Sequence, residues 1–304
     1  MIYSLLKNAN LIGMQQFKVF SILVGLISCT FTSCAQQVTI EDTVEVKRDS
    51  TVVIEWNQLA DGIDFCETDA PLESIINNSK LTILRIDPSK VDFELFCATD
   101  LDKQARTVDE WADSFQLNIV FNAGMYDLAN KLVSRGYLKS KDHINNGAIH
   151  PTFNSMFAFH PVDTTASNYS IIDLECNPWQ SVKSDYKSYA QGLRMLDCDG
   201  KPMNWTKRKQ SCSMLVAAQD EAGNLFLIFT RSPYLHNEMI GFLQLFPMKL
   251  VNAIYLEGGP ETSLFVQIGN TTLTRIGSYV SQTYQRDDND HFWKLPNVIG
   301  IKLK

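Results

Sequence analysis

Alternation of apolar and polar residues predicts β-strands along most of the chain from residue 80 onward. The strongest hairpin signal is Asp220-Glu221-Ala222-Gly223-Asn224, which separates two apolar runs. A capping box at Thr107–Glu110 predicts a helix through Phe115, and apolar residues at helical spacing predict another over Glu238–Phe246. The predicted strands are Thr82–Ile86, Phe93–Phe96, Leu117–Phe121, Leu132–Leu138, Phe153–Phe159, Ser170–Leu174, Ala190–Leu196, Ser213–Ala218, Leu225–Thr230, Ala253–Leu256 and Trp293–Ile301.

Strands outnumber helices in this pattern, and the helices are interspersed among them. The pattern therefore predicts an α+β fold, a single domain built on a twisted mixed β-sheet with two or more packed helices. We place this domain at residues 56–304. Residues 35–55 are polar and charged, which is typical of a tether.

The first 34 residues have the pattern of a lipoprotein signal segment. Lys18 precedes a short apolar run that is too brief to span a bilayer. The run ends at Leu-Ile-Ser-Cys29, which resembles a bacterial lipobox, and a second candidate ends at Cys34. These features predict export to the bacterial cell envelope and membrane attachment through a lipid on one of the two cysteines. An ordinary cleaved signal peptide is the alternative.

Charge and cysteine content argue against nucleic acid as a partner and against a zinc site. The formal net charge is −7, which argues against nucleic acid as a partner, because such binding depends on neutralising phosphates. An odd number of cysteines, five, follows Cys34, so at least one is free unless it pairs between chains. Export permits disulfides, and the cysteine spacing matches no zinc pattern.

The most informative stretch is a predicted strand that ends in a glycine turn carrying two carboxylates. The apolar run Ala253–Leu256 stops at Glu257, Gly258-Gly259-Pro260 follows, and Glu261 precedes the next apolar run. Paired carboxylates perform acid–base or nucleophilic work on glycosidic bonds. A hairpin turn with solvated glutamates is the alternative interpretation of this stretch.

A second predicted strand ends in the same way, at Asn122-Ala-Gly. If the two strands are neighbours, Asn122 and Glu257 face one pocket, where an amide suits a sugar hydroxyl. His143, His150 and His160 lie close together in sequence, but their spacing matches no metal motif, so structural roles are favoured.

Several segments together resemble the phosphodiester glycosidase family over roughly residues 80–304. The two main motifs are Asn122-Ala-Gly-Met-Tyr and the stretch Tyr255–Val266, which has the Leu-Glu-Gly-Gly-Pro-Glu form of a bacterial branch. Glu257 stands where the family usually has Asp, and Pro260 where it has a third Gly. The weaker matches are Phe153–Phe157, Ala190–Met195, Arg208–Ser213 and the ending Leu295–Gly300.

The resemblance implies hydrolysis of a sugar-1-phosphodiester at the anomeric carbon. Glu257 is then the base or nucleophile, Glu261 assists it, and Asn122 lies in the pocket. Arg194 and Arg208 are candidates to bind phosphate oxygens. Further candidate substrate-binding residues are Gly124, Asp127, Gly258 and Gly259. No cofactor is implied with certainty, although a divalent cation is compatible with the chemistry.

Two other function classes remain open from the residues alone. One is a non-catalytic surface lipoprotein that binds glycan or another envelope polymer. The other is a metal-dependent phosphodiesterase that cleaves the P–O bond instead of the glycosidic bond.

Overall fold

The computed structural model describes residues 52, 54–127, 129–205 and 209–304. The predicted signal segment, both candidate lipidation cysteines and nearly all of the predicted tether lie outside them. The strands are β1 Asn57–Ala60, β2 Ile63–Asp69, β3 Lys80–Ile86, β4 Val91–Cys97, β5 Ile119–Asn122, β6 Leu138–Ser140, β7 His143–Asn146, β8 Ser155–Pro161, β9 Tyr169–Asp173, β10 Tyr186–Leu196, β11 Ser211–Asp220, β12 Leu225–Leu235, β13 Leu250–Gly258, β14 Ser263–Ile268, β15 Thr271–Ile276 and β16 Asn297–Leu303. The α-helices are α1 Val108–Phe115, α2 Trp179–Val182 and α3 His236–Leu245.

The strands form two sheets, and every strand pairing among the described residues is antiparallel. The larger sheet has 11 strands, with the path β1-β2-β3-β12-β11-β13-β10-β6-β7 and with β8 and β9 branching from β10. The smaller sheet has 5 strands in the order β15-β14-β5-β16-β4. The prediction of one mixed sheet was therefore wrong, because the described residues form two sheets and their strands pair antiparallel. The described part of the chain is mostly β-strand, with few helices. Hydrophobic periodicity reports which face of a strand is buried, but it does not report strand direction.

The two sheets pack face to face, and alternate residues of each strand point to opposite layers. In β13, Ile254 and Leu256 enter the core between the sheets, whereas Ala253 and Tyr255 face the layer that contains α3. In β5, Ile119 enters the same central core. The helices α3 and α1 thus cover the outer faces of the larger and the smaller sheet respectively.

The helix predicted from the capping box is confirmed. The Thr107 hydroxyl accepts from the Glu110 N–H, and the Glu110 carboxylate accepts from the Thr107 N–H at 2.9 Å. Trp111 is fully buried on the inner face of this helix. Within the part of the chain that the structure describes, no helix is long and apolar enough to cross a bilayer.

One predicted strand is largely replaced by turns. Only Leu138 of the predicted strand Leu132–Leu138 belongs to β6. The preceding turns are held by Asp127, whose carboxylate accepts the N–H groups of Ala129 and Asn130 at 2.7 and 2.9 Å. A short polar side chain that bonds nearby backbone competes with a strand ladder.

A disulfide joins Cys176 to Cys198 across 22 positions. Cys66, Cys97 and Cys212 are buried and form no disulfide among the described residues, so the prediction that at least one cysteine stays outside a disulfide within the chain is confirmed.

Replacing Cys176 and Cys198 together by Ser should lower the free energy of unfolding by about 3 kcal/mol, as expected for a closed loop of this length. Chemical denaturation of the oxidised protein measures the loss. Dithiothreitol should destabilise the wild type and leave the double variant unchanged. An equal response of both proteins would contradict the pairing.

Candidate active site

The turn between β13 and β14 carries the chain from the larger sheet into the smaller one. β13 ends at Gly258, a single 3₁₀ turn spans Gly259–Glu261, and β14 begins at Ser263. Glu257 and Glu261 therefore flank the crossing point between the sheets. The sequence prediction of a strand that delivers carboxylates into a glycine turn is confirmed.

A bulge in β13 sets the direction of Glu257. Leu215 of β11 pairs with Glu257, but the next residue, Val216, pairs with Tyr255, so Leu256 is an extra residue in β13. Bulges bend a strand and re-aim neighbouring side chains, and they are frequent beside active sites. Glu257 is only 7% exposed, and its Oε1 accepts the N–H of Gly258 at 3.0 Å.

The two glycines are required for different reasons. Gly259 has a φ of +80°, a conformation that side chains with a Cβ rarely adopt. At Gly258 the constraint is space, because a Cβ there would lie 2.1 Å from Tyr255 Oη and 2.8 Å from Cys212 Sγ. The turn can therefore approach the aromatic layer behind it only with glycine at both positions.

Asn122 fixes the far end of the turn. Its Nδ2 donates to the carbonyl of Glu261 at 3.0 Å, and its Oδ1 accepts the N–H of Ser263 at 2.8 Å. The side chain is 1% exposed and is not among the residues that line the cleft. β5 and β13 are in different sheets, so Asn122 does not lie beside Glu257 on a neighbouring strand. Instead it positions the backbone of Glu261.

Tyr126 interacts electrostatically with both carboxylates. Its hydroxyl lies 3.4 Å from Glu261 Oε1. Burial, and then the charges of Glu261 and Glu257, raise the pKa of Tyr126, so the phenol stays protonated. Burial also raises the pKa of Glu261 above its ordinary value, against a smaller opposing effect of Lys131.

Both carboxylates open onto a cleft with two lobes. The smaller lobe has a volume of about 330 Å³ and contains Glu257 and Glu261. The larger lobe has a volume of about 760 Å³. Three residues, Tyr126, Glu261 and Trp293, line both lobes. The other residues of the smaller lobe are Met125, Arg135, Gly258, Pro260, Val280, Thr283 and Tyr284.

Arg194 lies in a buried ion-pair network. Its Nη1 contacts both oxygens of Asp173 at 2.7 Å, and its Nη2 contacts Glu175 at 2.7 Å. It pairs with Ile254 in the β-ladder, three positions before Glu257. Two carboxylates already occupy the guanidinium, so Arg194 has a structural role here in place of the predicted anion contact.

Other predicted residues fall partly outside the cleft. Arg208 lies outside the described residues. Asp127 caps the loop after Tyr126, as described above, and does not line either lobe. Gly124 has a φ of +120° and supplies the bend between Asn122 and Met125, so its contribution is to backbone conformation.

The three clustered histidines make structural contacts. His143 Nε2 lies 2.9 Å from Thr99 Oγ1, His150 stacks on Phe153, and His160 Nδ1 lies 2.9 Å from Ser188 Oγ. In the described ranges, one group of three potential ligands lies close enough to share a metal ion. It consists of Asp173 and the two disulfide-bonded cysteines.

Sequence reasoning missed the cationic and aromatic walls of the cleft. Tyr126 stands inside the Asn122 motif and could have been found there. Arg135 lies in the segment predicted as a strand, and Trp293 was assigned to the last predicted strand, which actually begins at Asn297. No local pattern distinguishes a cleft tryptophan from a strand tryptophan.

Comparison with known proteins gives a matching family and similar folds. The sequence model of the phosphodiester glycosidase family matches residues 115–302, which is more than half of the 304 residues. The match contains Asn122, both cleft carboxylates and Trp293. Among curated proteins, none matches this sequence.

Two solved structures share the fold. One is a hypothetical protein from Synechocystis, with a TM-score of 0.54, 13% identity, and coverage of 83% of this chain and 64% of that one. This chain thus spans less than two thirds of the Synechocystis chain. The other is the catalytic domain of zebrafish N-acetylglucosamine-1-phosphodiester alpha-N-acetylglucosaminidase, auto-inhibited by its pro-peptide. Its TM-score is 0.53, with 12% identity and coverage of 84% of this chain and 89% of that one.

Replacing Asn122 by Ala should cost about 2–4 kcal/mol of stability, because a buried carbonyl and a buried N–H lose their partners. It should also reduce turnover, because Glu261 loses its backbone anchor. Asn118→Ala is the matched control, since Asn118 bridges Gln267 and Leu303 at the opposite end of β5. Denaturation and steady-state kinetics together test the pair. Asn118→Ala should lose stability without losing turnover at a temperature where it is folded.

Replacing Glu261 by Gln should stabilise the protein increasingly as the pH rises from 4 to 7. The folded protein holds the Glu261 proton more tightly than the unfolded chain, whose carboxyl titrates near 4.5. The wild type therefore loses stability above pH 4.5, until the folded-state pKa is passed, and Gln removes this loss. Thermal melts across this pH range measure the difference. A difference in Tm that is independent of pH would contradict the raised pKa.

Proposed function

The chain belongs to the phosphodiester glycosidase family, and we propose that it is an exported hydrolase that cleaves a sugar-1-phosphodiester at the anomeric carbon. The observation that carries this proposal is that Glu257, Glu261 and Tyr126 line one cavity. A volume of about 330 Å³ is at the lower end for small-molecule sites and suits a single sugar ring. Paired carboxylates in such a cavity are the equipment of glycosidic bond hydrolysis.

The two carboxylates divide the chemistry between them. Burial raises the pKa of Glu261, so it holds a proton to higher pH than an exposed glutamate does and can serve as the acid. Glu257, whose Oε1 accepts the Gly258 N–H, supplies the carboxylate that attacks the anomeric carbon or activates water. The bond that breaks joins the anomeric carbon to the phosphate oxygen, and the products are a free sugar and a phosphate monoester.

The leaving phosphate requires positive charge more than it requires a strong acid. A phosphate monoester has its second pKa near 6, so its oxygen is a much better leaving group than a sugar alkoxide. Arg135 lines the smaller lobe and can hold phosphate oxygens in a bidentate manner. It takes the role that the sequence had suggested for Arg194.

Aromatic residues complete the sugar site. Trp293 and Tyr284 meet edge to face, with their ring centroids 6.1 Å apart, and both line the smaller lobe. Rings of this kind offer an apolar face to the C–H groups of a sugar while their polar atoms remain hydrogen-bonded. Trp293 Nε1 donates to Asn289 Oδ1 at 3.1 Å, so the indole is held in place.

Export and lipid attachment at Cys29 or Cys34 remain part of this proposal on sequence grounds. A lipid-anchored hydrolase would act on sugar phosphodiesters of the cell envelope. The name of the zebrafish neighbour suggests N-acetylglucosamine-1-phosphodiesters as the first substrates to assay.

Replacing Glu257 by Gln should reduce turnover of such a diester at least about 10³-fold while leaving the fold and ligand binding intact. Release of free sugar, followed by NMR, measures the rate and also reports the anomer formed. Glu221→Gln is the control, because Glu221 is an exposed turn residue paired with Lys249. It should hydrolyse the diester at the wild-type rate.

The alternatives give different products. Undiminished turnover in Glu257→Gln would exclude Glu257 as the reacting carboxylate. Glycan binding without any product, retained in the variant, would indicate the non-catalytic lipoprotein. Release of sugar phosphate in place of free sugar, abolished by a chelator, would indicate a metal-dependent phosphodiesterase.

A further inference from the structure

The larger lobe of the cleft is not accounted for by a single sugar. Its volume of about 760 Å³ is more than twice that of the smaller lobe, at about 330 Å³. It adjoins the reacting groups directly, because Glu261 and Tyr126 line both lobes. A molecule bound with its sugar beside Glu257 therefore has room to continue past Trp293 into this space.

The charge of the larger lobe is opposite to that of the chain. Lys131, Lys294 and His291 line it, and Glu261 is the one acidic residue in its lining among the described residues. The chain, by contrast, has a formal net charge of −7. His291 Nδ1 lies 2.9 Å from the carboxylate of Asp290. Neither lysine forms an ion pair with a carboxylate in the described part of the chain. Two unpaired ammonium groups beside the reaction centre attract an anion.

The remaining lining of the larger lobe is mostly apolar. Leu132, Phe292 and Pro296 contribute to it, together with Trp293. Phe292 is 9% exposed and packs edge to face on Phe265, with a centroid distance of 6.4 Å. The wall is therefore rigidly backed and suits an apolar group that follows the anion.

We propose that the larger lobe is the site for the phosphate and its alcohol, and that the preferred substrates are sugar-1-phosphodiesters of bulky, apolar alcohols. Lys131 and Lys294 bind the phosphate together with Arg135 of the smaller lobe, because the phosphate lies where the two lobes meet. The wall of Leu132, Phe292 and Pro296 contacts the alcohol. This inference rests on the proposed hydrolase, and it adds the class of leaving group that the hydrolase accepts.

Trp293, which lines both lobes, is held in place by hydrogen bonds. Asn289 accepts from Trp293 Nε1 and donates through Nδ2 to the carbonyl of Gly277 at 2.7 Å and towards that of Pro260 at 3.5 Å. One buried amide thus ties the tryptophan to the turn that carries the carboxylates. The scissile bond lies where the two lobes meet.

Binding of the phosphate product can be measured without turnover. Methyl phosphate and octyl phosphate are the probes, titrated calorimetrically into the full chain below the micellar concentration of the octyl ester. Octyl phosphate should bind at least about tenfold more tightly, because burial of about two methylene groups is enough for that factor. Equal affinities would overturn the assignment of an apolar alcohol site.

Variants separate the two parts of the site. Lys131→Met and Lys294→Met should each weaken both esters several-fold, whereas Lys249→Met, at an exposed ion pair with Glu221, should weaken neither. Leu132→Ser should lower the affinity for octyl phosphate and leave that for methyl phosphate unchanged. Unchanged affinities in both lysine variants would overturn the phosphate site.

Failure of this inference is distinguishable from failure of the proposed function. If the protein releases free sugar from a phosphodiester but does not discriminate between the two esters, the larger lobe is not the alcohol site and the hydrolase stands. If the esters bind as expected but no diester yields free sugar, the proposed reaction fails and the anion site in the larger lobe is supported.

Discussion

The candidate active site depends on one buried amide. Asn122 lies at the end of a strand in the smaller sheet, and it holds the carbonyl of Glu261 and the N–H of Ser263, where the chain arrives from the larger sheet. Without these two bonds, a buried donor and a buried acceptor would lack partners at the point where the sheets join. The same amide therefore connects the smaller sheet to the turn that leaves the larger sheet, and it sets the backbone position of Glu261.

Burial around this point changes the pKa values of Glu261 and Tyr126. The Glu261 carboxylate meets a phenol that is itself kept protonated by burial and by two negative charges. Burial raises the pKa of the Glu261 carboxyl against the opposing effect of the hydrogen bond from Tyr126. A carboxyl with a raised pKa keeps its proton to higher pH, which is the property required of an acid. The positive charge of the larger lobe partly offsets the effect of burial, since Lys131 lowers the pKa of Glu261. Lys131, which we propose binds the phosphate, thus also affects the pKa of Glu261.

Local features of the fold could be predicted from the sequence, and long-range ones could not. The capping box at Thr107, the hairpin before Leu225 and the carboxylate turn after β13 all depend on interactions within a few residues. Strand order depends on pairings such as that of Val298 with Asn122, which are far apart in sequence and leave no periodic signal. For the same reason the sequence suggested Arg194 as an anion contact, because its partner Asp173 is on another strand.

The proline that replaces a glycine in the reactive turn is consistent with a rigid site. Pro260 lies at the start of a 3₁₀ turn, where its missing N–H leaves no hydrogen bond unmade. It restricts the unfolded chain, an effect of about 0.4–1 kcal/mol where the native geometry suits proline. Gly277 packs closely against the turn, and a larger residue would not fit there, because a Cβ would lie 2.3 Å from the carbonyl of Gly259. Asn122 and Gly277 together leave the backbone of Glu261 little freedom. An acid that must donate its proton to one particular oxygen benefits from being held in place before the substrate binds.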